Sequence, residues 1–172
     1  MHSKLTVDYD YQLDVDEVPV RGNAIAPGDD AYDREVEDEI LERLNRGDIS
    51  AWAVADVWAV FTFDVEDDVF HSRGRTSLGA LSYPSENELW ASVLIDNDMR
   101  AEAREQAAID LRRQLTTAGL HRRFEHALKK LERDETYTWL LERQARATSL
   151  LATNPEWAAQ ELVHVDAALD KL

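Results

Sequence analysis

The sequence predicts an α+β fold: a small antiparallel or mixed sheet in β-α-β-β order, followed by a C-terminal bundle of three to five helices. Three observations carry this. Apolar residues alternate at every second position near the N-terminus. Two further strand-type runs lie between residues 50 and 83, separated from the first by one helical pattern. Beyond residue 85 only helical periodicities appear.

The first strand is Leu5–Glu17. Leu5, Val7, Tyr9, Tyr11, Leu13 and Val15 alternate with Thr6, Asp8, Asp10, Gln12, Asp14 and Asp16. Successive strand side chains point to opposite faces, so one face is apolar and the other is a row of carboxylates. Neighbours in that row stand about 6.6 Å apart along the strand. Charge on a strand discourages other chains from adding to it, which marks this as an edge or near-edge strand.

Val18–Gly28 holds two prolines and two glycines and reads as a connection. A helix is expected from Asp30 to Arg46, capped by Asp29 or Asp30 and stopped at Gly47. Its buried stripe is Tyr32, Val36, Ile40 and Leu44; Arg34–Asp38, Glu39–Arg43 and Glu42–Arg46 are spaced as ion pairs on the other side. Ser50–Asp64 follows as the most apolar strand. Trp52, Val54, Trp58 and Val60 lie on one face, Ala53, Ala55, Val57, Ala59, Phe61 and Phe63 on the other, so both faces are expected to be covered. Asp56 interrupts the tryptophan face and is expected where that face meets solvent. Val65–Thr76 reads as a polar loop and Ser77–Tyr83 as the third strand.

Ser85 and Glu88 fit a capping box for a helix over Glu86–Ile95. Met99, Ala103, Ala107, Leu111, Leu115 and Ala118 define the stripe of the next helix, with Gly119 as its stop. Leu120–Arg133 buries Leu120, Phe124, Leu128 and Leu131, and a separate helix over Glu135–Thr153 buries Tyr137, Leu141, Ala145, Thr148 and Leu151. Asn154-Pro155 starts the last helix, which turns Trp157, Leu162, Val165 and Leu169 inward.

The formal charge is −16. Residues 1–99 carry 23 Asp/Glu against 7 Lys/Arg, and residues 100–172 carry 12 against 12. This suggests an acidic α+β part over residues 1–97 and a neutral helical part over 98–172. Salt adaptation also produces Asp-rich, Lys-poor chains, and this one has 4 Lys to 15 Arg. That pressure acts on the whole exposed surface, whereas the excess here is local. With no cysteine, disulfides and thiolate chemistry are excluded. No apolar run is long enough for a membrane span and no signal-peptide pattern opens the chain, so a cytoplasmic protein is expected.

Motifs for chemistry are missing. There is no G-x-S-x-G, P-loop or G-x-G-x-x-G. Asp64, Glu66, Asp67 and Asp68 form an acidic cluster without the glycine and glutamate spacing of an EF-hand. His121, Glu125 and His126 do not share one helix face, and Arg122 and Arg123 beside them repel a cation. No metal, cofactor or catalytic residue is therefore expected. A basic group in the C-terminal half (Arg112, Arg113, Arg122, Arg123, Lys129, Lys130, Arg133) lacks aromatic platforms for nucleic acid and is expected to pair with acids.

Two segments carry a resemblance. They are Asp48-Ile49-Ser50-Ala51-Trp52-Ala53-Val54, and Leu78-Gly79-Ala80-Leu81-Ser82-Tyr83-Pro84-Ser85-Glu86 with the following Leu89-Trp90. Over residues 29–115 the chain resembles small acidic proteins carried by phages and plasmids, with a tryptophan-bearing strand and an LG-x-x-SY-x-SE segment. The resemblance implies a mobile-element origin and an inhibitor of host defence, of anti-CRISPR or anti-restriction type. It transfers no functional residue.

The expected function is accordingly a non-enzymatic inhibitor that imitates nucleic-acid charge. Its partner is a host protein or ribonucleoprotein with a basic surface, without direct nucleic-acid or membrane binding; a dimer is compatible with the sequence. The residues expected at the contact are Asp8, Asp10, Asp14 and Asp16, then Glu35, Asp38 and Glu42, then Asp64, Glu66, Asp67 and Asp68. The alternative is an adaptor that works through its C-terminal helices, the acidity serving solubility or salt adaptation.

Overall fold

Strand β1 (Ser3–Val15), helix α1 (Arg34–Asn45), strands β2 (Ala53–Val65) and β3 (Asp68–Leu81), and helices α2 (Glu86–Ala91), α3 (Met99–Gln114), α4 (Ala118–Leu150) and α5 (Pro155–Leu169) follow one another along the chain. This computed structural model describes residues 3–24, 33–116 and 118–172. The sheet is antiparallel in the order β1-β2-β3, so β2 is central and β1 lies at an edge, as its charge implies. Helices follow the sheet, and the α+β class stands.

Two compact units divide the chain. One comprises Asp8–Val60 and Arg73–Ala107; the other comprises Met1–Val7, Phe61–Ser72 and Ala108–Leu172. These boundaries differ from the charge boundary at residue 97, because each strand contributes residues to both units. The first unit carries 21 acids against 8 bases and the second 14 against 11, so the acidity is local on this division too. We call them the acidic unit and the helical unit.

In the acidic unit, Ala53, Ala55, Val57 and Ala59 of β2 are fully buried, as are Leu89, Val93, Ala103 and Ala107. The closest approach is made at Gly74 on β3. A Cβ there would lie 2.1 Å from the Ala103 carbonyl oxygen and 2.3 Å from the Ala107 amide nitrogen, so only glycine lets α3 lie against the strand. A smaller cluster joins Val20, Ala24, Ile40, Ala51 and Trp52, with Val36, Leu41 and Leu44 of α1 packed on it. Trp52 donates its indole N–H to the Val18 carbonyl at 2.7 Å. Asp33 caps α1 by accepting from the Glu35 amide at 2.8 Å. The expected caps Asp29 and Asp30, and Tyr32 of the stripe, lie outside the described residues.

Only one of the three ion pairs read on α1 is formed, Glu42–Arg46 at 3.8 Å. Asp38 takes Arg21 from the preceding connection instead. Arg43 turns inward, donating to Asp48 at 2.8 Å, to the Ser50 hydroxyl at 3.2 Å and to the Tyr83 carbonyl at 2.5 Å. Glu37 is buried, accepting from the Gly22 amide and from Arg21. A buried carboxylate is tolerated because these donors replace its water.

Val65–Thr76 is not a loop. The chain turns sharply at Glu66 and Asp67, Glu66 taking a φ of 59°, and β3 begins at once. HSRGRT was unreadable as a strand because its alternation is between polar side chains and small ones. Phe70, Ser72, Gly74 and Thr76 form the inner row of β3, while His71, Arg73, Arg75 and Ser77 are exposed.

Ser85 caps α2, accepting from the Glu88 amide at 3.3 Å. The helix then widens into a π turn over Ser92–Asp96, closed by the Asn97 amide on the Ser92 carbonyl at 2.9 Å. On α3 the predicted stripe is buried at Met99, Ala103, Ala107 and Leu111, and Leu115 just beyond the helix is buried as well. Its last member, the Ala118 side chain, lies outside the described residues. Gly119 stops nothing; it sits in the first turn of α4.

In the helical unit, Phe124 is fully buried against Phe61 and Phe63, with ring centroids 6.5 and 5.5 Å apart in edge-on geometry. The two helices expected over residues 120–153 are one 33-residue helix, α4. The expected boundary between Arg133 and Glu135 falls within the polar run Glu132-Arg133-Asp134-Glu135. Helical residues need no apolar side chain where they face water, and nothing there blocks the i→i−4 ladder. The expected stripe of the second half is also displaced: Tyr137, Leu141, Ala145, Thr148 and Leu151 are exposed, while Leu140 and Ala147 are buried. Helix α5 starts at Pro155 as read and packs on α4, with Arg143–Glu161 and Gln144–Asp166 bonds between them.

Two carboxylates give the fold an acid-sensitive component. Hydrogen bonds from Ser50 and Arg43 hold Asp48 below the usual carboxylate range. In the helical unit Arg112, donating twice to Glu125 at 2.7 and 3.2 Å, does the same there. A carboxylate held low stabilises the folded state fully above its unfolded pKa, and that contribution is lost as pH falls through the folded value. Stability is therefore expected to fall below about pH 4.3. Asp48→Asn combined with Glu125→Gln should flatten that limb of a urea-midpoint-against-pH curve; an unchanged limb would refute the assignment.

Candidate functional site

The row of aspartates on β1 belongs to a sheet face whose other members the sequence does not announce. Val65 and Asp68 bracket the β2–β3 turn, and counting back from them sets Val60 opposite Arg73, Trp58 opposite Arg75 and Asp56 opposite Ser77. The Ser77 hydroxyl donates to Asp56 in agreement with that register. On the other side, the Asp16 amide donates to the Trp52 carbonyl, which sets Asp10 beside Trp58 and Asp8 beside Val60. The face therefore reads across as carboxylate, apolar, guanidinium.

Asp8, Asp10 and Asp14 are exposed. Gln12 donates to Asp14 at 2.6 Å, and Arg73 reaches Asp10 at 3.7 Å. The latter is a long pair between exposed groups, of the kind that contributes little. Trp58, half-buried in the middle, lies beneath two guanidinium groups: Arg73 is 3.8 Å and Arg75 4.9 Å from its ring centroid. Stacking of this type suits arginine, whose planar group is weakly hydrated.

Arg75 is held by a two-pronged bond to Asp56, at 3.1 and 2.7 Å. Asp56 is thus buried rather than at the solvent margin, and its charge is met by Arg75 and Ser77. The tryptophan face of β2 is likewise not a second sealed layer. Val54, Trp58 and Val60 stay half-exposed, screened by the arginines that lie across Trp58.

The structure sorts the other expected contact residues. Asp16 is engaged within the chain: its carboxylate accepts from the Ala80 amide at 2.5 Å and from Val18 at 2.8 Å, tying the end of β1 to the end of β3. It is a structural residue first. Glu35, Asp38 and Glu42 are exposed on α1 within the same acidic unit, the last two carrying the ion pairs described above. Asp64, Glu66, Asp67 and Asp68 are exposed but belong to the helical unit, at the β2–β3 turn, where Glu66 pairs with Arg123 at 2.7 Å.

Arg73 and Arg75 were missed, and with them the partners of Trp58 and Asp56. Their signal lay in the alternation of His71, Arg73, Arg75 and Ser77, visible only once HSRGRT is read as a strand.

Among the described residues no three His, Asp or Glu side chains are grouped to hold a metal ion. Glu125, the middle of the His121–Glu125–His126 set, is taken by Arg112. No helix among the described residues is long and apolar enough to cross a membrane. Compared with family models, with curated proteins and with solved structures, the chain finds no match.

Proposed function

We propose that the chain acts by binding, and that Asp8, Asp10 and Asp14 on β1 engage a basic protein surface built for a nucleic-acid backbone. The observation that carries this reading is the exposure of all three on one face of an edge strand, in the unit with 21 acids against 8 bases. Duplex DNA presents one negative charge per about 1.7 Å of axis, so a groove that holds it is lined with Lys and Arg. A rigid row of carboxylates competes for such a groove without offering bases to read. Electrostatic steering speeds encounter, and the complex weakens as salt rises. The target class is a nucleic-acid-binding complex of host defence, a CRISPR effector or a restriction enzyme, which rests on the resemblance to phage and plasmid proteins.

The test is capture of a partner from host lysate at low and high salt. The parent chain is expected to retain a basic protein at low salt and release it at about 0.5 M, where the screening length falls to a few ångströms. The triple variant Asp8→Lys, Asp10→Lys, Asp14→Lys should retain none of it while keeping the parent's circular dichroism spectrum, since all three side chains are exposed. Undiminished capture by the triple variant sinks the proposal and favours the adaptor reading, in which the C-terminal helices make the contact.

A further inference from the structure

Helix α4 changes character half-way along. From Arg122 to Asp134 every exposed side chain is ionisable: Arg122, His126, Lys129, Lys130, Glu132, Arg133 and Asp134. From Tyr137 to Ser149 every exposed one is uncharged: Tyr137, Thr138, Leu141, Ala145, Thr148 and Ser149. Leu151 and Ala152, exposed in the turn that follows, continue the pattern. Tyr137 is 51% and Leu141 42% exposed. The solvated face of α1 looks otherwise, with Arg34, Glu35, Asp38, Glu39 and Glu42 turned to water. An uncharged face about 18 Å long, with a small residue at its centre, has the form of a helix contact.

We infer that this face of α4 is a self-association surface, occupied by the same face of a second copy running antiparallel. The occupant follows from the arrangement about Ala145. Leu141 and Thr148 lie at nearly equal distances on either side of it, as do Tyr137 and the turn at Leu151 and Ala152. A two-fold axis near Ala145 therefore sets Leu141 against Thr148 of the second copy and Tyr137 against its turn, with the small side chains letting the helices close.

The flanking charges agree. Glu142 precedes the centre and Arg146 follows it on the same flank, so antiparallel pairing brings each level with the opposite charge of the second copy, twice over. In a parallel two-fold pair the same flank falls on opposite sides of the interface, so these charges would not meet. The helical unit is also nearly balanced, 14 acids to 11 bases, so the surface avoids the concentrated charge of the acidic unit. A patch of this length buries less than a standard interface, and a weak, reversible dimer is the expected form.

Sedimentation velocity on the full chain, from about 1 to about 300 μM, should show a monomer–dimer equilibrium in the micromolar range. Because the contact is mostly apolar, it should persist at the salt concentration that releases the proposed basic partner. Leu141→Glu should weaken it at least tenfold without changing the circular dichroism spectrum. The chain has no cysteine, so single cysteines report geometry cleanly. Under mild oxidation Ala145→Cys should form a covalent dimer, whereas Lys129→Cys, far from the axis in an antiparallel pair, should not. Monomer at every concentration, with no faster cross-linking of Ala145→Cys than of Lys129→Cys, overturns the inference. Cross-linking of Tyr137→Cys, on the same face but about 24 Å from its counterpart across an antiparallel pair, as fast as that of Ala145→Cys overturns the antiparallel arrangement.

Discussion

Gly74→Val is expected to destabilise the acidic unit by at least about 3 kcal/mol, near the upper end of what overpacking a core costs. The new Cβ would fall 2.1 Å from one backbone atom of α3 and 2.3 Å from another. Backbone cannot rotate aside as a flexible side chain can, so either α3 lifts from β3 or the strand buckles. Lifting α3 also disturbs the buried Ala103 and Ala107, whose small size exists to permit the approach. For a chain of this size the loss corresponds to a fall in melting temperature of about 6–12 °C. Gly74→Ala should fall in the same direction, since the clash begins at Cβ itself. A Gly74→Val protein melting within a degree or two of the parent would show that the helix does not lie where the structure puts it. Because Arg73 and Arg75 flank this glycine, the near-ultraviolet dichroism of the tryptophans should change as well, reporting loss of the stack over Trp58.

Phe124→Ala should cost the helical unit about 3–5 kcal/mol, the range for removing a fully buried phenylalanine. Phe124 is fully buried and meets two further fully buried rings, Phe61 and Phe63. Its removal forfeits the transfer energy of the ring and leaves a cavity that two rigid aromatic neighbours are poorly shaped to refill. Phe124→Leu, which keeps much of the volume, should cost well under half as much. Urea denaturation monitored in the far ultraviolet measures both. Near-equal midpoints for the alanine and leucine variants would mean that the pocket collapses around the gap.

How much of this was legible beforehand varied with the kind of signal. The Ser85 cap, the α3 stripe and the Pro155 start rest on local physics and agree with the structure; the β1 alternation gives the strand, but its apolar face, expected to be buried, is only half-covered, with Tyr11 and Val15 exposed. The failures share a cause. HSRGRT lacks the apolar alternation that marks a half-buried strand, because its inner positions are Ser72 and Gly74, the glycine making room for α3. The expected boundary between Arg133 and Glu135 lies in a charged stretch, which says nothing about whether the backbone ladder continues. Tyr137, Leu141, Ala145, Thr148 and Leu151 have helical spacing, which identifies an apolar face but not what covers it.

The candidate surface divides in the same way. That Asp8, Asp10 and Asp14 share one face of a charged strand follows from the residue order alone, because side-chain direction in a strand follows from backbone geometry. The residue order also sets where the acid excess lies. The tie of Asp16 to Ala80, the burial of Asp56 beneath Arg75, and the stacking of Arg73 and Arg75 over Trp58 emerge on folding. Each of these depends on which strand lies beside which and in what register. Residues 56 and 75, or 16 and 80, are brought together by pairing between distant segments, and no local pattern encodes that meeting.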